Sequence, residues 1–311
     1  MVDTVTFWTE DGQAREWKDR LPQSQVVRRG ADRYEGNAGN MRILETLDGV
    51  TVSGSVAKYL NGENMTVLTR ESYARALQKL QEETGLDLHK AVLRRVDFGA
   101  SIITKGPPAE YLRLFDLLPR YKQRVENGCT GIESVLYHTR KGGLQFCAYD
   151  KIKEAVDGGG VVPELYRDCN VLRMEYRIIN RQSVKAKLGD GADVSPWRLA
   201  ENDTYRNLGK FFWEFYDSIP KTGRRVFLDG EKEYTPKELT DIQAEAYRQN
   251  APQEYRAILQ TLSERGRLTA KSLERIKAQE RKNGQNYVFS DTNVLITELD
   301  EKTHCRAFTG A

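Results

Sequence analysis

Two stretches place charge inside runs that otherwise read as buried strand. They are Arg95-Val96-Asp97-Phe98-Gly99 and Arg173-Met174-Glu175-Tyr176-Arg177. Side chains alternate along a strand, so Arg95 and Asp97 share one face, and Arg173, Glu175 and Arg177 share one face. The other positions, Val92, Val96 and Phe98 in one and Leu172, Met174 and Tyr176 in the other, are apolar. Charge on a half-buried strand is costly unless it is paired or bound to a metal. A fold that satisfies both stretches brings two similar β/α halves into one sheet. With the halves adjoining, Asp97 and Glu175 form a candidate site for a divalent ion, and the arginines are candidate grips for phosphate. Hard oxygen ligands suit Mg²⁺ or Mn²⁺. Simple Arg–carboxylate bridges are the competing reading of the same residues.

A hairpin lies between these stretches. Ser134–His138 and Leu144–Tyr149 are apolar and aromatic, and Lys141-Gly142-Gly143 supplies the turn. The second run ends in Tyr149 and then Asp150-Lys151-Ile152-Lys153-Glu154. A tyrosine near cations can attack phosphorus, because positive charge favours the phenolate and holds the phosphate. Tyr149, Lys151 and Lys153 are therefore candidate catalytic residues. The competing reading is packing, since tyrosine favours strands and this chain has 15 of them.

The 311 residues suit one large domain or two ordinary ones. Charged residues make up 30% and hydrophobic residues 39%, while the net charge is only +3. That balance neither demands nor excludes nucleic acid, so the distribution of charge has to decide. Cys129, Cys147, Cys169 and Cys305 form no CxxC pair, which argues against a zinc knuckle or redox dithiol and fits a reducing cytoplasm. No basic, apolar leader is visible at Met1–Gly12, and no window reads as a membrane span.

Along the chain, Val2–Trp8 reads as a strand and residues 9–40 as loops, with one strand near Gln25–Val27. A hairpin at 40–56 turns on Asp48-Gly49. Gly54–Asn64, with Ser55 and Lys58, offers a turn that could hold an anion. Thr69–Gly85 is a helix with a buried stripe of Tyr73, Ala76, Leu77 and Leu80. Strand is expected at 92–104 and 170–181, and a helix at 109–118 after Pro107-Pro108. Residues 119–132 read as a basic loop with Arg120, Lys122 and Arg124, and residues 155–169 as a linker. After Ser183 helical patterning dominates to about residue 283, with a final strand expected at 291–299. The fold class is α+β: a mainly antiparallel sheet built from two similar β/α halves with helices packed on it, then a helical C-terminal region. The boundary is expected near residue 184.

The ordered set of motifs resembles the phage replication proteins of the II/X type, the gene II replication initiators of filamentous phages. It comprises Met1-Val2-Asp3-Thr4, Thr51–Ser55 with Lys58, Arg95-Val96-Asp97, Glu133-Ser134 leading to Ala148-Tyr149-x-Lys151, and Leu172-Arg173-x-Glu175-x-Arg177. These pieces span residues 1–181, and the helical remainder matches less specifically. The resemblance implies a nicking domain over 1–184 and a DNA-binding helical domain over 185–311. It implies a Mg²⁺-dependent endonuclease that nicks and rejoins origin DNA through Tyr149 to drive rolling-circle replication. Its partners would be double-stranded origin DNA, single-stranded DNA, and a host helicase and polymerase in the host cytoplasm, with no membrane; oligomeric state stays open. A remoter likeness to plasmid rolling-circle initiators of the Rep-trans type keeps Tyr137 open as the nucleophile. Whether Glu133 joins the site is also open. The chain lacks the paired histidines of HUH endonucleases.

DNA contact is expected from the helical region. Arg265–Lys282 holds seven basic residues, Arg275 and Lys277 among them, against two acids. Rival readings are a non-catalytic origin-binding or regulatory protein, and a metal-dependent hydrolytic nuclease that cuts without becoming attached.

Overall fold

The computed structural model describes residues 1–10, 16–30, 32–128, 131–221, 235–250, 252–286 and 294–309. They divide into two compact units: residues 1–220 with 299–311, and residues 221–298.

The first unit is built on one antiparallel sheet. Its strands are β1 (Val2–Thr9), β2 (Val26–Arg28), β3 (Tyr34–Ala38), β4 (Met41–Thr46), β5 (Gly49–Ser55), β6 (Val92–Thr104), β7 (Tyr121–Gly128), β8 (Gly131–Thr139), β9 (Leu144–Asp150) and β10 (Asn170–Ile178). Their spatial order is β2-β3-β4-β5-β1-β6-β10-β9-β8-β7. β6 and β10, which carry the two charged stretches, are therefore central neighbours. Their register sets Phe98 opposite Tyr176, with ring centroids 5.3 Å apart. A local two-fold through that pair exchanges Asp97 with Glu175 and Arg95 with Arg173, so the similarity seen in the sequence is a symmetry of the sheet.

Alternation gives the sheet two unlike faces. On one, Phe146 and Tyr176 stack against Phe212 and Phe215 of helix α7 (Asn202–Ser218), at centroid distances of 5.0–6.0 Å. The other face carries the charged residues. The first half adds helices α1 (Trp17–Arg20), α2 (Val56–Asn61) and α3 (Arg70–Thr84). Thr69 caps α3, and Tyr73, Ala76, Leu77 and Leu80 are buried, as the sequence indicates. Further helices are α4 (Pro108–Leu112), α5 (Lys151–Asp157), α6 (Arg181–Leu188), α8 (Pro236–Asn250), α9 (Pro252–Glu264), α10 (Ala270–Asn286) and α11 (Val294–Thr309).

Several local expectations need correction. Residues 121–128 form edge strand β7, because cross-strand pairing with β8 overrides their polar, glycine-bearing composition. The helix after Pro107 is short, ending at Leu112. The region before residue 40 contains α1 and β3 besides the expected strand, and 155–169 contains the end of α5 and one turn of 3₁₀ helix at Glu164–Tyr166. Val294–Leu299 opens helix α11 rather than forming a strand; residues 291–293 of that expectation lie outside the described residues, as does Cys129. Among the described residues no helix is long and apolar enough to cross a membrane.

Candidate functional site

The charged face holds a closed ionic network. Arg95 spans both oxygens of Asp97, Nε to Oδ1 at 2.8 Å and Nη2 to Oδ2 at 2.6 Å. Arg177 forks onto Glu175 Oε2 at 2.9 and 2.6 Å and lies 3.9 Å from Asp97 Oδ2. Arg173, 1% exposed, donates to Glu175 Oε1 at 3.2 Å, to Ser101 Oγ at 3.0 Å and to Asp3 Oδ2 at 3.2 Å. Asp3 also accepts from Ser55 Oγ at 2.5 Å and Asn64 Nδ2 at 3.4 Å. Three arginines thus face three carboxylates, which is the condition under which buried charge is tolerated.

The two-fold is broken at one place. Where Arg177 reaches Glu175, the equivalent position beside Asp97 is Gly99. A β-carbon there would stand 1.9 Å from the carbonyl oxygen of Met174. Glu175 consequently accepts hydrogen bonds from two arginines, and Asp97 from one. Despite burial, the guanidiniums of Arg173 and Arg177 hold the Glu175 carboxyl down at about 2. Asp97 moves the other way: burial raises it, against the pull of Arg95 and Arg177.

Tyr149 stands opposite Arg173 on β10 and Ser134 on β8, on this charged face. Its hydroxyl donates to Glu175 Oε1 at 2.8 Å. The phenol is mostly buried, yet it lines a cleft of about 380 Å³ with Cys147, Glu133, Lys153 and Arg177. Burial first, then the Glu175 carboxylate, push the phenol well above its ordinary pKa, so it rests protonated.

The lysines do not ionise it, contrary to the sequence expectation. The chain leaves strand geometry at Asp150, which caps α5 by accepting from Lys153 N at 3.0 Å. Lys151 and Lys153 therefore sit on a helix. Lys151 is buried, bonds Glu154 at 2.6 Å and lies 5.8 Å from the Tyr149 ring centroid. Lys153 pairs with Asp157 at 3.1 Å and Glu133 at 3.5 Å, which puts Glu133 on the cleft wall through a lysine.

Tyr137 belongs to the opposite face. It is fully buried, donates to the carbonyl of Asp116 at 2.7 Å and accepts from Gln123 at 2.9 Å. Lys58 is exposed on α2, whose N-terminus Ser55 caps; the expected open turn is a helix start. Arg275 and Lys277 are exposed on α10 in the other unit, Lys277 bonded to Glu274 at 3.2 Å. Arg120 lines a second cleft, of about 540 Å³, with Arg140 and Lys141. Lys122 and Arg124 are exposed on β7, Arg124 paired with Glu126 at 3.0 Å.

Asp97 and Glu175 do not fit a divalent ion as they stand. Both oxygens of each carboxylate already accept from arginine, and an incoming cation would meet three guanidiniums. Among the described residues no group of three or more His, Cys, Asp or Glu side chains is placed to hold a metal. Asp3 and Ser101 complete the network without having been singled out chemically, and Ser55, expected to help hold an anion, instead donates to Asp3; the clue was an acid at position 3 within an otherwise apolar and threonine-rich strand.

Residues 3–196 match the profile of a phage family described as the N-terminal region of a replication-associated protein. The chain belongs to that family. The matched range takes in the whole ionic network, Tyr149 and its cleft. No curated protein sequence matches the chain. Among solved structures, a rolling circle replication initiator protein from Geobacillus stearothermophilus is similar at 10% identity with a TM-score of 0.35, covering 75% of this chain and 88% of that one.

Proposed function

We propose that this replication-associated protein is a rolling-circle initiator that nicks and rejoins one DNA strand of a phage genome, with Tyr149 as nucleophile. The observation that carries the proposal is the Tyr149 hydroxyl, placed at a cleft wall and already hydrogen-bonded to an ionised carboxylate.

Tyr149 Oη attacks the phosphorus of an origin phosphodiester. The 2.8 Å bond to Glu175 aims the hydroxyl at the phosphorus, and its proton leaves to water as the new bond forms. The bond from phosphorus to the 3′ oxygen breaks, and that oxygen takes a proton from water. The products are a 5′-phosphotyrosine and a free 3′-OH, and attack by a 3′-OH on the phosphotyrosine reverses the step. Because the bond is exchanged rather than hydrolysed, its energy is kept for joining. Arg177 and Lys153, both on the cleft wall, are the cations that would meet charge developing on the phosphoryl oxygens. Arg173 has a different role: it is buried and saturated, so it fixes Glu175 instead of gripping DNA.

The test is incubation with supercoiled phage origin DNA and with origin single strand, each with Mg²⁺, followed by denaturing electrophoresis. Wild-type protein should yield a covalent adduct whose attached residue maps to Tyr149 by mass spectrometry. An adduct formed by Tyr149→Phe would overturn the assignment. Binding without any adduct would favour the non-catalytic origin-binding reading, and cutting without attachment would favour a hydrolytic nuclease.

A further inference from the structure

The second unit contains a feature that the chemistry at Tyr149 does not use. Helices α8, α9 and α10 pack as a three-helix unit. Asp241, Ala244 and Glu245 of α8, Tyr255 of α9, and Ile276 and Glu280 of α10 enclose one small cavity. Tyr255 also donates to Glu280 at 2.7 Å, tying α9 to α10.

The join between α9 and α10 is tight and built by the sequence. Gly266 takes φ +65°, a backbone that residues with a β-carbon resist. Its N–H bonds the carbonyl of Ser263 at 3.0 Å, and Arg267 N–H bonds the carbonyl of Leu262 at 2.9 Å. Those two bonds are the Schellman pair that ends a helix. Three residues later Thr269 starts the next helix, its Oγ1 accepting from Ser272 N–H at 3.1 Å. Two helices joined by a short glycine turn, with a third helix packed against them, is an arrangement that helix-turn-helix modules share with αα-hairpins.

The face of α10 turned away from its partners is the chemically distinctive one. At 100° per residue, Ile276, Gln279 and Glu280 fix the inward side, Lys271, Glu274 and Ala278 fall opposite, and Arg275 lies on the flank next to them. All four are exposed. Lys271 and Arg275 are one turn apart and lie in the first two turns of the helix, where a recognition helix meets base edges. Ala270 and Ala278 are small enough for close approach. The exposed Arg265 and Arg267 of the turn extend the basic surface towards where a phosphate backbone would lie.

We propose that α8–α10 form a helix-turn-helix module and that α10 reads duplex DNA from the major groove, with Lys271 and Arg275 contacting base edges and Arg265 and Arg267 contacting phosphates. This adds sequence recognition of a duplex to the strand chemistry and does not depend on which residue is the nucleophile.

The full chain carrying Tyr149→Phe, which should bind without reacting, is used for the test. A random-sequence duplex pool of about 30 base pairs, some three helical turns, is put through rounds of binding selection. A set of related sequences should be enriched, and fluorescence anisotropy should show the enriched duplex bound more tightly than the unselected pool. Lys271→Ala with Arg275→Ala should lower that preference about tenfold or more. Arg275→Lys, which keeps the charge but loses the fork, should lower the preference while binding to the pool stays near wild type. Arg267→Ala should weaken both duplexes alike and reduce the salt slope by about one. Circular dichroism should show wild-type helix content in each variant. Failure to enrich any sequence, or a preference unchanged in the double variant, would overturn the proposal. The adduct assay on wild-type protein reads the nicking reaction separately, so either idea can fail alone.

Discussion

Glu175 Oε1 is shared by the Tyr149 hydroxyl, at 2.8 Å, and by Nε of Arg173, at 3.2 Å. One oxygen therefore couples the candidate nucleophile to the most deeply buried cation of the sheet. Glu175→Gln should separate these duties poorly, because the amide matches the shape but not the charge. With two guanidiniums left partly uncompensated, unfolding should need about 3–5 kcal/mol less free energy. Adduct formation at Tyr149 should fall as well, since the amide can turn its NH2 towards the hydroxyl and no longer fixes it for attack. Urea unfolding and the adduct assay check the two effects. Adduct formation at wild-type rate would remove Glu175 as the group that orients Tyr149.

The same carboxyl predicts how stability follows pH. Its ordinary value is 4.5 and its value in the fold is about 2. A carboxyl depressed on folding contributes stability above its unfolded pKa and loses that contribution as pH falls through the folded one. The urea midpoint should therefore decline as pH falls from about 4.5 towards 2. Asp97, raised by burial, has the opposite sign and blunts the decline. In Glu175→Gln the acid limb should be shallower. An equally steep limb in the variant would assign the acid sensitivity elsewhere.

What the sequence made legible follows from period and spacing. An acid two residues from an arginine on a strand must share its face, so the charged pairs could be read directly. Their meeting in one network could not: it depends on β6 pairing with β10 and on Asp3 arriving from β1, contacts far apart in sequence. The same reasoning explains the misread stretches. Residues 121–128 look like a loop because their strand lies at a sheet edge with exposed polar residues, and only β8 makes it a strand. Lys151 and Lys153 looked like strand partners of Tyr149 because nothing in Tyr-Asp-Lys-Ile-Lys shows that Asp150 turns the chain into a helix, except its capping chemistry. Tyr137 and Tyr149 are both strand tyrosines in the sequence. Their roles divide once the sheet has a packed face and a charged face.

That division makes Tyr137→Phe the useful contrast to the nucleophile variant. The Tyr137 hydroxyl donates to the Asp116 carbonyl and accepts from Gln123 inside the core. Removing it takes one partner from two part-buried groups, at a cost of about 1 kcal/mol. The variant should unfold at lower urea concentration and still form the covalent adduct with origin DNA. Loss of the adduct in a folded Tyr137→Phe protein would move the nucleophile to the other face of the sheet.

Gly99 tests whether the central strand pair is as close as the site requires. A β-carbon at this position would stand 1.9 Å from the Met174 carbonyl oxygen and 2.8 Å from Glu175 Cα. Both obstacles are backbone of the neighbouring strand, so no rotamer change relieves them. Gly99→Ala must push β6 and β10 apart where Phe98 faces Tyr176 and where Glu175 receives its arginines. The cost should reach or exceed the upper end of overpacking penalties, about 3 kcal/mol, which lowers the melting temperature by on the order of 10 °C. Gly30→Ala, where a β-carbon meets nothing within 4 Å, is the matched control and should stay within about 0.5 kcal/mol of wild type. Because the shift at Gly99 moves Glu175 relative to Tyr149, adduct formation should drop even at temperatures where the variant remains folded. Calorimetry and the adduct assay run side by side decide it: a Gly99→Ala protein with wild-type melting and wild-type adduct yield would mean that the β6–β10 spacing does not position the site.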